Sequence, residues 1–200
     1  MNPIEIININ KSFGTPPTVV LQNINLILPV GITHLMGASG IGKTTLTNLL
    51  MGFISPDSGT IKGLKGKKIA AVFQEDRLLE EETVLTNLLF VTPNVKKYTQ
   101  KAIDLLTQAG LFDSLNKKAA ELSGGMKRRV ALCRALISNY DVLILDEPFK
   151  GLDEEIKPQI IKMVQQHALQ AQNKIVLNIT HDPAEAEALG GEIIILSQNK

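Results

Sequence analysis

Two hundred residues, 44% of them hydrophobic and 20% charged, are enough to bury a core and suit one domain spanning residues 1–200. A net charge of +1 gives no reason to expect nucleic acid or an anionic membrane surface as a partner, and a single cysteine excludes an internal disulfide and fits a reducing compartment. No apolar run approaches the ~18 residues of a membrane span, and MNPIEIININ has neither the basic nor the apolar region of a signal peptide.

Along the chain, Ile4 to Ile9 alternates loosely as a strand and LQNINLIL (Leu21 to Leu28) alternates better. GITHLMG is a short strand leading into a glycine loop, and Gly42 to Met51 is the helix behind it. Ile69 to Phe73 is an apolar strand ending at Gln74. The pattern then turns helical over Val84 to Val91 and TQKAIDLLTQAG, with Gly110 as a stop, so residues 75–121 are expected to form a helical lobe. LSGG opens a further helix, and DVLILDE reads as a strand buried on both faces. A helix is expected from Glu154 to about Gln170, with Pro158 near its first turn, where a missing N–H costs little. KIVLNIT is another buried strand, Pro183 to Leu189 a short helix, and GEIIILS the closing strand. Alternating strands and helices argue an α/β fold with a largely parallel sheet.

Two stretches carry the chemistry. GASGIGKTT, comprising Gly37, Ala38, Ser39, Gly40, Ile41, Gly42, Lys43, Thr44 and Thr45, matches the loop that wraps phosphates with backbone N–H groups and a helix N-terminus. Lys43 would reach the β- and γ-phosphates of ATP, and the Thr44 hydroxyl would ligate Mg²⁺. VLILDEP ends a buried strand in two acids at a sheet's C-terminal edge, where ligands of such folds bind. Asp146 would hold Mg²⁺ directly or through water, and Glu147 would act on the attacking water as a base or by orienting it.

The order GASGIGKTT, Gln74, LSGGM, VLILDEP, GLD and His181 resembles the nucleotide-binding subunit of ATP-binding cassette (ABC) transporters, from about Phe13 to His181. The resemblance implies a P-loop NTPase core with a mostly parallel sheet, a small antiparallel β part at the N-terminus and the inserted helical lobe. It implies a second nucleotide-binding subunit, identical or related, facing this one head to tail. Ser123, Gly124 and Gly125 of one chain then cap the ATP held by the other. Ser123 suits a helix N-cap, and glycine allows close approach to a γ-phosphate.

The smaller motifs carry over singly. Gln74 resembles the family's Q-loop glutamine, a Mg²⁺ or water contact and a hinge to the lobe; a plain strand cap is the alternative. His181 in NITHDP resembles the switch histidine bonding the γ-phosphate, and Asp153 in FKGLD resembles the D-loop aspartate at the dimer seam, or else a helix N-terminus. Phe13 occupies the place of an aromatic stacked on adenine, with a core phenylalanine as the alternative. Arg128 and Arg129 read as a solvated or salt-bridged helix face, Cys133 as core, and His34 and His167 as structural or surface residues.

The family's implied role is an ATPase subunit of a small-solute importer, peripheral on the cytoplasmic face of the membrane. Its partners would be a transmembrane permease, met by Glu75 to Val84, and a solute-binding protein. LSGGMKRR, EPF and FQEDRLL are similar to the nitrate and sulfonate branch, although Glu80, Glu81 and Glu82 stand where that branch has a proline-tryptophan pair, and Gly190 and Gly191 where it has Asp-Arg. The chain ends soon after His181, so no regulatory domain is expected. Soluble ABC ATPases of DNA repair or translation form the alternative class, but they carry coiled-coil insertions, zinc-binding cysteines or paired cassettes, which this sequence lacks. A cassette without turnover fits poorly with Lys43, Asp146, Glu147 and His181 all present.

Overall fold

The computed structural model describes residues 1–170 and 173–197. The described residues begin with strands β1 (Ile4–Phe13), β2 (Thr18–Leu28) and β3 (Gly31–Met36), followed by helix α1 (Lys43–Leu50). Strands β4 (Ser58–Lys62) and β5 (Ile69–Val72) precede helices α2 (Val84–Leu89), α3 (Val95–Gln108) and α4 (Gly124–Ile137). The chain continues through β6 (Val142–Asp146), α5 (Lys157–Gln170), β7 (Ile175–Ile179), α6 (Pro183–Leu189) and β8 (Glu192–Ile195).

Two sheets result: an antiparallel one in the order β2-β1-β4, and a wholly parallel one in the order β5-β6-β7-β3-β8. The unbroken apolar run of β6 follows from burial on both faces. Val142 and Ile144 pack with the antiparallel sheet and α1, while Leu143 and Leu145 pack on the opposite face with α4 and α5. Each of these four side chains is at most 1% exposed, a contribution of about 1.5–3 kcal/mol apiece. β7 repeats the alternation, with Ile175, Leu177 and Ile179 on the first face and Val176 on the second. The two central strands thereby send their C-terminal ends, with Asp146 and Thr180, to one edge of the sheet.

The helical lobe is broader than the expected 75–121. α4 packs against both α2 and α3, so Val130, Cys133 and Ile137 share one core with Leu88, Ala102 and Leu105. Cys133 is fully buried, which pushes its thiol up to about 12. β4 has no signature in the sequence, because SGTIK shows no apolar alternation; its place comes from antiparallel pairing with β1, Ile6 opposite Ile61 and Ile7 opposite Thr60. α5 begins at Lys157 rather than Glu154, since the Asp153 carbonyl accepts from the amides of Ile156 and Lys157 in a preceding turn. Pro158 is its second residue. The helices around β6 and β7 fit the expected α/β class with its antiparallel N-terminal part.

Gly191 has a physical reason to be glycine. Its φ is +113°, and a Cβ there would sit 2.3 Å from the Ile32 carbonyl oxygen of β3. Gly191→Ala is therefore expected to cost about 2 kcal/mol or more of stability in urea unfolding. Gly66→Ala, also at positive φ but facing open space, should lose only about 1 kcal/mol.

Candidate functional site

The loop after β3 turns into α1 through Gly42, whose φ of +105° favours glycine and where a Cβ would lie 2.5 Å from Leu21 Cδ2 and 3.1 Å from the Val20 carbonyl oxygen. Gly37, Ser39, Gly40, Gly42, Lys43, Thr44 and Thr45 line one face of a cleft. Ala38 and Ile41 complete the loop, with the Ile41 amide donating to the Ala38 carbonyl at 3.3 Å and its side chain packing into the core. Lys43 Nζ donates to the carbonyls of Gly37 and Ala38 at 2.8 and 2.9 Å, folding its ammonium back over the loop.

The opposite wall brings together Gln74, Asp146, Glu147 and His181 from the ends of three different strands. Asp146 is 7% exposed; burial, reinforced by the neighbouring Glu147 charge, pushes its carboxyl above the ordinary range. The Gln74 amide, lining the same cleft, opposes that shift. Glu147 lies in the left-handed region at φ +48°, with its amide donating to Ile179 O at 2.9 Å. That turn aims its carboxylate at Lys150 Nζ (2.7 Å) and His181 Nδ1 (3.4 Å). The Lys150 hydrogen bond, ahead of His181, holds the Glu147 carboxyl below its usual value, so it is ionised at neutral pH. The His181 ring is 70% exposed and free to meet a ligand.

The backbone on each side of His181 is tied down by residues the sequence did not single out. The Thr180 hydroxyl donates to Glu185 Oε2 at 2.6 Å and accepts from the Asp182 amide at 3.1 Å. Lys157 of α5 completes the set, with Nζ 2.9 Å from Glu185 and 3.4 Å from Asp182. Asp182 also caps α6 by accepting from the Ala184 amide. Val20, likewise unforeseen, lines the cleft from β2. Phe13 is 44% exposed with Lys11 Nζ 5.3 Å from its ring centroid, so it is not a core residue. His34, by contrast, is fully buried between Gly190 O (2.8 Å) and Asn178 (3.1 Å), and His167 is half-buried against Met163 O.

Ser123, Gly124, Gly125 and Asp153 lie outside the cleft. Ser123 Oγ caps α4 by accepting from the Met126 amide at 3.3 Å, and Ser123, Gly124 and Asp153 are exposed. Gly125 packs beside the Gly151 carbonyl, so the start of α4 and the turn carrying Asp153 form one neighbouring surface. Of the solvated or salt-bridged face expected at Arg128 and Arg129, the salt bridge is found at Arg128, whose Nη1 lies 3.1 Å from Asp76 Oδ1, while its solvation is not. Arg128 is 5% exposed and bound to the carbonyls of Phe73 and Gln74, while Arg129 Nη1 donates to Ala109 O at 2.7 Å. A helix position followed by a second arginine gives no sign that both will be drawn to backbone oxygens of the lobe.

Comparison with known proteins agrees with this geometry. The family model for the ABC transporter matches residues 21–150. The chain is 37% identical to the thiamine import ATP-binding protein ThiQ of Vibrio cholerae, over 84% of this chain and 76% of that one. It is 36% identical to the bicarbonate transport ATP-binding protein CmpD of Synechococcus elongatus, over 95% of this chain and 73% of that one. A solved dimeric ATP-binding cassette in a post-hydrolysis state, bound to ADP and Pi, superposes with a TM-score of 0.85 at 26% identity, covering 96% of this chain and 94% of its own. A phosphate-wrapping loop faced by two acids and a histidine, on a fold shared with that cassette, places the chain in the ABC transporter family as its ATP-binding domain, an ATPase.

Proposed function

We propose that this chain powers a small-solute importer by hydrolysing ATP between two paired cassettes, with the residues of the cleft in the following roles. The observation that carries the reading is the convergence of Lys43, Asp146, Glu147 and His181 on one cleft, with Glu147 ionised and in contact with His181. The glycine loop from Gly37 to Thr45 would wrap the phosphates, and Lys43 would exchange its two carbonyl partners for phosphate oxygens. Glu147 would accept the proton of the attacking water or orient it, and His181 would bond the γ-phosphate. Phe13, exposed at the end of β1, would stack on adenine.

The donor set suits Mg²⁺. Among the described residues no cluster of three His, Cys, Asp or Glu side chains forms a closed metal cage, so a cation would share its shell with phosphate and water. Thr44 on one wall and Asp146 and Gln74 on the other are hard oxygen donors lining one cleft, and the buried Asp146 carboxyl is short of positive charge. Bound there, Mg²⁺ would neutralise charge on the phosphates.

Ser123, Gly124, Gly125 and Asp153 would meet the ATP of a second nucleotide-binding subunit, which accounts for their position outside this chain's own cleft. Among the described residues no helix is long and apolar enough to cross a membrane, and we assign the chain a peripheral place on the cytoplasmic face, held by a transmembrane permease. Beside Glu75 to Val84, exposed Phe53 stacks on Phe73 at 6.1 Å and Arg77 lies 4.0 Å over the Phe73 ring, a surface suited to that contact. A solute-binding protein would complete an importer. The relatives' names favour transport over DNA repair or translation; they divide between thiamine and bicarbonate at nearly equal identity, so the similarity speaks for the shared machinery rather than for one cargo.

Glu147→Gln should bind ATP normally yet hydrolyse it ~10²–10⁴-fold more slowly; turnover near wild type in a phosphate-release assay would remove Glu147 from catalysis. Purified from detergent-solubilised membranes with Mg-ATP, that variant should carry a stoichiometric multi-span protein identifiable by mass spectrometry. A soluble catch alone would contradict the transporter assignment. Asp146→Asn should raise the urea midpoint of the ligand-free protein at pH 7. The sign follows from the raised carboxyl: ionised and buried, it destabilises the fold above its unfolded value, and the gain should vanish as pH falls below about 4, where both states are protonated.

A further inference from the structure

Resting on the proposed roles of Gln74 and Ser123, we propose that Arg128 is a positioning residue that fastens the Gln74 segment to α4, so that each chain's own ATP site is coupled to the helix that caps its partner's nucleotide. β5 ends at Val72, where its pairing with β6 stops. The next carbonyls are not held by the sheet. Arg128 Nη1 donates to Phe73 O, and Nη2 donates to Gln74 O at 2.9 Å. Arg134 Nη2, further along α4, donates to Asp76 O at 2.9 Å. The planar fork of a guanidinium spans two successive carbonyls in a way a lysine ammonium does not. Asp76 Oδ1, buried with no hydrogen-bond donor aimed at it, lies 3.1 Å from Arg128 Nη1 and takes its compensation from that charge.

The backbone of residues 73–76 therefore belongs mechanically to α4. The Gln74 side chain, however, lies toward Asp146 at the end of β6, in the cleft that both line. One residue thus has its main chain on the helical side and its side chain on the sheet side. A ligand that draws Asp146 or the Gln74 amide to itself changes that link. Arg128 passes the change to a helix whose first turn carries Ser123, Gly124 and Gly125.

The test uses the Glu147→Gln chain, which would trap the ATP-bound pair, and measures ATP affinity at dilute protein and ATP-driven dimerisation by light scattering. Arg128→Met, Gln74→Ala and their combination are compared, with unfolding followed in parallel. Arg128→Met should leave ATP affinity within about threefold and weaken dimerisation by about tenfold or more. The double variant should be no weaker than the worse single, because both act through one link. Arg128→Lys, which keeps the charge but reaches one carbonyl, should recover part of the loss, and it serves equally if the methionine variant does not fold. Dimerisation within about twofold of the parent in the arginine variants, or losses that add in the double, overturns the inference. Gln74→Ala without effect would instead overturn the Gln74 role beneath it, and a parent that never pairs would overturn the paired-cassette reading and this coupling with it.

Discussion

A carboxylate buried at the end of a doubly covered strand is an unfavourable object, and the surroundings of Asp146 are organised around it. Packing on both faces of β6 requires apolar residues from Val142 to Leu145 and leaves Asp146 as the first polar group, 7% exposed. Its compensation comes from other segments: an amide from Gln74 at the end of β5, and the charges of Arg128 and Lys43. These do not fully offset burial, since the carboxyl remains shifted upward. A site that holds stability in reserve in this way is suited to a cationic ligand, which would supply the missing charge.

The neighbouring charges are parked in a similar manner. Lys43 is held by two loop carbonyls, and Glu147 by Lys150 and His181. Each of these contacts is polar, local and replaceable, so a nucleotide would exchange one set of hydrogen bonds for another without exposing an unpaired charge. Lys150 is 64% exposed and can leave Glu147 at little cost, since a largely exposed ion pair is worth little. The His181 turn is different: Thr180, Asp182, Glu185 and Lys157 fix its backbone while its ring stays open. A turn fixed by hydrogen bonds and bearing an exposed ring is a suitable support for a group that must meet one phosphate.

The sequence was legible where one residue type answers to one local physical demand. The glycine loop, the apolar run of β6 and the acids beyond it are of this kind, and the structure assembles them in one cleft as their spacing implied. β4 was not legible, because its place depends on β1 approaching it rather than on its own pattern. The start of α5 was misplaced by three residues because turn and helix share their first hydrogen bonds at Asp153. Glu185 and Lys157 lie on helices whose meeting only the fold determines. For Arg128 an ion pair was within reach of the sequence but its burial was not, since nothing local records that a strand end with free carbonyls lies opposite.

Those free carbonyls explain why the site is divided between two bodies. A parallel sheet satisfies its backbone only as far as its strands run, and β5 stops two residues before Gln74. The chain could have continued the ladder, which would have fixed Gln74 rigidly to Asp146. Instead the helical side supplies the donors, through Arg128 and Arg134, and Gln74 faces Asp146 in the cleft that both line. Polar contacts made through a side chain can be exchanged for ligand contacts, whereas breaking a ladder would leave backbone groups unsatisfied. The division therefore places the Gln74 segment, held from the lobe, beside the carboxylate that a bound cation and nucleotide would perturb.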